Sequence, residues 1–180
     1  MTKAKSNVVS DFVAPIAVLV IICAVMSFLL ALTNNATAPI IEEAERKANE
    51  EARLEVLPGA DSFEKLTVDG LPDAVKEVYK AANGAGYTFS LTTQGYGGKN
   101  TLKLAVGIDM DGKITGTKVL DHKETAGLGS KITTDAFQGQ FPGKDRGLEG
   151  VDNISGATFS SNYFRAAIAD AYTAFDLVNG

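Results

Sequence analysis

The sequence predicts an α+β fold: a single N-terminal transmembrane helix, then a domain with an antiparallel sheet flanked by helices. Three observations carry this. Phe12 to Leu32 is a 21-residue run without a charged side chain. Two neighbouring segments alternate apolar and polar residues around an Asp111-Gly112 step. The last stretch, 161–178, repeats its apolar residues at helical spacing.

The run "FVAPIAVLVIICAVMSFLLAL" would extend roughly 31 Å as a helix at about 1.5 Å per residue, which matches a bilayer core. A buried helix of a soluble protein would show a polar stripe, and here Ser27 is the clear exception. A cleaved secretory signal has a shorter apolar core, and Pro39 directly follows the "ATA" at 36–38. A lipoprotein signal is disfavoured because Ile22 precedes Cys23 in mid-run. Cys23 is expected only to pack in lipid. Lys3 and Lys5 precede the run, and no base follows it until Arg46. The positive-inside bias then places residues 1–11 in the cytoplasm and residues 33–180 outside, as a single-pass protein of the cell membrane.

Pro39 to Val56, "PIIEEAERKANEEARLEV", reads as a connector helix, with Pro39 at its first position and acids in its first turn. The "LPGAD" turn closes it, so the division is 12–32 membrane helix, 33–60 connector and 61–180 domain. A helix is expected over Asp73–Ala82. Tyr87–Thr93 reads as a strand, "QGYGGKN" as a glycine-rich loop, and "TLKLAVGID" and "KITGTKVLDH" as two strands of a hairpin through "MDGK". Asp109 and Asp111 hint at a calcium loop, but the other ligand positions are missing. A short helix is expected near 133–140. The final helix spans Ser161–Val178, with Phe164, Ala167, Ile168, Ala171, Tyr172 and Phe175 on one face.

Charge narrows the functional classes. With 22 acids against 17 bases, and a net charge of −5, no nucleic-acid partner is expected. One histidine, one cysteine and no tryptophan leave little for a protein-built metal centre, so no metal site is expected. No catalytic group is assigned either. Chemistry, if any, belongs to a bound cofactor.

The segment "VDNISGATFSSN", 151–162, sharpens this. Turn chemistry alone favours a plain reading, with Ser160 or Ser161 capping the last helix and Thr158 filling the preceding turn. The same geometry also suits an anion. Small residues at Gly156 and Ala157 expose backbone N–H groups beside a helix N-terminus, a seat for phosphate.

"DNISGAT", Asp152 to Thr158, resembles the flavinylation motif Asp-x-x-Ser/Thr-Gly-Ala-Thr. "HKETAGLG", from His122, is similar to the His-x-Glu-Thr-Pro-Gly-Leu-Gly loop of FMN-binding domains, with Ala126 in place of proline. With "GYGG" and the N-terminal span, the chain resembles the G subunits of Rnf complexes, which pass electrons between ferredoxin and NAD and export sodium ions or protons. The resemblance implies FMN attached covalently to Thr158 by a phosphoester, made by a separate flavin transferase. It implies an electron carrier working with the other Rnf subunits in the lipid bilayer. Ser155, Gly156 and Ala157 would surround the phosphate. Glu124, Thr125 and Leu128 would lie against the ring, with Gly127 and Gly129 admitting close backbone. His122 either donates a hydrogen bond to the flavin or ends a strand at the surface. Asp152 either guides the transferase or braces the turn. Tyr96 either stacks near the ring or packs in the interior, and packing is favoured. The C subunit of sodium-pumping NADH:quinone reductase shares motif and topology but tends to be longer. A membrane-anchored binding module without flavin is the alternative from another class.

Overall fold

A computed structural model describes residues 12–180. The expected cytoplasmic segment 1–11 lies outside the described residues. The chain divides into two compact units, Met1–Arg46 and Lys47–Gly180.

The described part of the first unit is helical. Helix α1 comprises Ala14–Val56 and has the length and composition to cross a membrane. The connector expected to begin as a separate helix at Pro39 is instead continuous with the apolar run, and Pro39 sits inside the helix. Proline removes one N–H donor and crowds the carbonyl four residues back. The helix continues because strong formers follow, with Glu, Ala, Arg and Lys dominating 42–53.

The second unit is built on a five-stranded sheet in which sequence order equals spatial order: β1 (Phe63–Leu66), β2 (Val75–Ala81), β3 (Gly86–Gly95), β4 (Gly98–Asp109) and β5 (Ile114–His122). Every neighbouring pair is antiparallel. The expected helix over 73–82 is therefore corrected to strand β2. Val75 and Val78 share the core face despite a spacing of three, because a bulge falls between Val75 and Glu77. That bulge copies a helical period in a strand.

One face of the sheet carries the core. Phe89, Leu91, Leu104 and Val106 pack there with Phe164, Ile168 and Ala171 of the last helix, α3 (Thr158–Asn179). Phe137, Phe141 and Phe164 form an aromatic cluster, with ring centroids 5.0–5.3 Å apart. The short helix expected near 133–140 appears as a 3-10 turn, Gly129–Thr133, followed by α2, Asp135–Gln138.

The opposite face receives the last turns of α1. Ala52 and Val56 pack on Ala105 and Leu120. Gly107 and Gly116 are cross-strand partners, and a Cβ on either would meet Val56 backbone, its carbonyl carbon at 2.7 Å and its Cα at 2.8 Å respectively. Thr115 Oγ1 donates to the Val56 carbonyl. The Arg53 guanidinium is buried 3.9 Å above the Tyr79 ring.

Candidate functional site

The motif loop is shaped by the helix it precedes. Ala157 N–H donates to the Ile154 carbonyl at 3.0 Å, closing a reverse turn with Gly156 at φ +80°. Ser161 Oγ accepts from Ile154 N–H at 3.0 Å and donates to the Ala157 carbonyl at 3.1 Å. Arg165 donates to the Val151 carbonyl at 2.8 Å. Gln140 Oε1 accepts from Asp152 N–H at 2.8 Å. Asp152 is thus held through its backbone, and its side chain is exposed.

The loop presents its hydroxyls unequally. Helix α3 starts at Thr158, three residues before the expected Ser161. Its N-cap is Ala157, with no side-chain cap. Ser160 and Ser161 therefore lie inside the first turn rather than capping it, and both are buried. Ser161 is committed to the turn, and Ser160 Oγ donates to Glu124 Oε2. Ser155 and Thr158 are exposed. Thr158 stands beside the helix's first amides, which an α-helix leaves without intrahelical partners.

Thr158 borders a cleft of about 190 Å³ lined by Tyr96, Thr125, Leu128, Gly129 and residues 156–160. Six sequence-expected residues meet here: Thr125, Leu128, Gly129, Gly156, Ala157 and Thr158. Gly127, at φ +75°, turns the neighbouring loop, and its N–H donates to Ser130 Oγ at 2.9 Å. Ser155 sits in the motif turn, next to the lining residues. The rim is apolar: Tyr96 and Phe159 are each 66% exposed and Leu128 is 47% exposed. Packing of Tyr96 in the interior is thus corrected, since its ring faces solvent at the cleft. Sequence reasoning did not single out Phe159. Its signal is phase, because the apolar face of α3 runs through Phe164 and Ile168, and Phe159 falls one position off it.

His122 and Glu124 stand behind this lining. His122 closes β5, and its Nδ1 accepts from Glu124 N–H at 3.2 Å. Glu124 Oε1 accepts from Tyr96 N–H at 2.8 Å, and Oε2 accepts from Ser160. The carboxylate thereby joins the β3–β4 loop to the first turn of α3.

The donor set suits a phosphorylated aromatic ligand: open amides and an exposed hydroxyl at one end, aromatic and aliphatic surface at the other. Small residues at 156, 157 and 129 clear the approach. The family profile of the FMN-binding domain matches residues 95–173, which include every lining residue. The chain is similar to the G subunit of the ion-translocating oxidoreductase complex of Methanosarcina acetivorans, with 38% identity covering 91% of this chain and 93% of that one. It is 34% identical to the G subunit of the Na(+)-translocating ferredoxin:NAD(+) oxidoreductase complex of Acetobacterium woodii, covering 91% and 84%. The G subunit of the proton-translocating ferredoxin:NAD(+) oxidoreductase complex of Clostridium ljungdahlii matches at 25%, covering 85% of each. The chain belongs to the G-subunit family of Rnf-type ion-translocating oxidoreductase complexes.

Proposed function

We propose that this chain carries electrons through FMN bound covalently, by a phosphoester to Thr158, within a membrane-anchored Rnf-type complex. Family membership supports an electron-carrying subunit of an ion-translocating oxidoreductase that works alongside other subunits. The observation that favours Thr158 is exposure within the first turn of α3: of the hydroxyl residues 158, 160 and 161 only Thr158 is exposed, and it borders the cleft.

FMN supplies the redox chemistry when bound, and the protein supplies attachment and surroundings. The first-turn amides and the positive end of α3 favour the phosphate charge. Tyr96, Phe159 and Leu128 offer apolar surface to a planar ring. Glu124 is engaged by Ser160 and Tyr96, so it offers Thr158 no base. A threonine hydroxyl is a weak nucleophile without one, which fits attachment by a separate flavin transferase.

The single span runs through lipid with the cleft-bearing domain on the outer side, as the Lys3 and Lys5 flank indicates. The run 12–32 has no charged residue, so the ion path belongs to other subunits. Relatives are named for sodium in one organism and for protons in another, consistent with an ion choice made elsewhere.

The test is co-expression with a flavin transferase, followed by denaturing electrophoresis under ultraviolet light. Wild type is expected to fluoresce and Thr158→Ala to be dark, with intact mass rising by one esterified FMN. A dark wild-type band overturns covalent attachment and favours a binding module without flavin.

A further inference from the structure

Three separate segments wall the cleft: the β3–β4 loop at Tyr96, the loop 125–129, and the first turn of α3. One side chain bonds two of them, and its backbone leads directly into the third, without lining the cleft. Glu124 accepts from Tyr96 N–H with one oxygen and from Ser160 Oγ with the other. Its chain neighbour Thr125 opens the middle wall, and the Thr125 carbonyl accepts from Leu128 N–H at 3.2 Å and Ser130 N–H at 3.1 Å. Two glycines make room for the carboxylate. A Cβ on Gly129 would sit 2.5 Å from Glu124 Oε2 and 2.7 Å from Ser160 Oγ, and a Cβ on Gly95 would also collide with Glu124. The first turn of α3 has no side-chain cap of its own, and this acid from another segment is tied to it through the Ser160 hydroxyl.

We propose that Glu124 is a positioning residue: it locks the three walls into one shape and so fixes how a group tethered at Thr158 rests in the cleft. This rests on the reading of Thr158 as the flavin-bearing residue, and it separates attachment from positioning. Attachment needs the exposed hydroxyl, whereas orientation needs the walls.

The experiment loads wild type, Glu124→Ala, Glu124→Gln and Ser160→Ala with flavin in the full chain. It compares in-gel fluorescence after denaturation with flavin fluorescence anisotropy and midpoint potential in the native state. All four are expected to fluoresce on the gel. Native anisotropy is expected to fall in Glu124→Ala, with the potential moving toward that of free FMN. Ser160→Ala is expected to shift the same way but less, since one arm of the bridge survives. Glutamine keeps an acceptor for Tyr96 N–H and can donate to Ser160, so it is expected to recover most of the wild-type signal, neutral bonds being about half as strong as charge-assisted ones. Unchanged anisotropy and potential in both Glu124→Ala and Ser160→Ala overturn the positioning role. If Glu124→Ala does not fold, Ser160→Ala against Glu124→Gln decides on the same two readouts. A dark gel for wild type instead removes the Thr158 reading beneath it.

Discussion

At Gly129 one methyl group would disturb the cleft most directly. Alanine there collides with Glu124 Oε2 and Ser160 Oγ, so the bridge must open. Gly129→Ala is expected to lower stability by about 1–3 kcal/mol, read by chemical denaturation. Gly156→Ala meets only Leu128 Cδ2, at 3.6 Å, and its cost is backbone strain at φ +80°, about 1–2 kcal/mol. Tyr172 gives a pH prediction. Burial raises its phenol to about 12, and the hydroxyl donates to the Gly112 carbonyl at 2.8 Å. The fold keeps the proton that the unfolded chain begins to lose near the ordinary phenol value of 10.0. This contribution is full below that value and is lost as pH rises toward about 12. At about 1.4 kcal/mol per pH unit the loss is at most about 3 kcal/mol, and solvent screening reduces it. Tyr172→Phe should flatten that part of the stability curve and remove the late tyrosinate absorbance that Tyr172 contributes. The place of Thr158 beside the start of the last helix was legible because its motif is local. The bonds of Glu124 were not, because its partners lie 28 and 36 residues away.

Among the elements, the hairpin β4–β5 and the last helix were legible because periodicity and a turn dipeptide agreed. Strand β2 was not, since its bulge reproduces the spacing of a helix. Strand β1 is four residues long with two of them exposed, too short to show alternation. The start of α3 was placed late because three hydroxyl residues in close succession all resemble caps, and only tertiary bonding shows Ser160 and Ser161 turned inward. The end of α1 is fixed by glycine rather than by large side chains. Gly107→Ala would put a Cβ 2.7 Å from a backbone carbon of Val56, which cannot swing aside as a side chain can. It is expected to cost about 2–3 kcal/mol, measured by denaturation of the full chain in detergent. Phe164→Ala, at the centre of the aromatic cluster, is expected to cost about 3–5 kcal/mol by the same measurement.

At the scale of the whole molecule, an apolar N-terminal helix ahead of a sheet domain was legible because an uncharged run of 21 residues matches the thickness of a bilayer core. The sidedness proposed above rests on the charges flanking that run, and it is tested chemically. Cys23 is the chain's one cysteine and lies within the span. A Glu149→Cys variant therefore carries a single added thiol on an exposed loop of the domain. A membrane-impermeant maleimide is expected to label it in intact cells, and labelling only after permeabilisation would reverse the orientation. The apolar rim around Thr158 has a further consequence, for solubility. A chain still lacking flavin or neighbouring subunits shows Tyr96, Leu128 and Phe159 to water together, and such clustered apolar surface promotes self-association. If Thr158 carries the flavin as proposed, light scattering from Thr158→Ala should climb with concentration sooner than from the flavin-loaded chain.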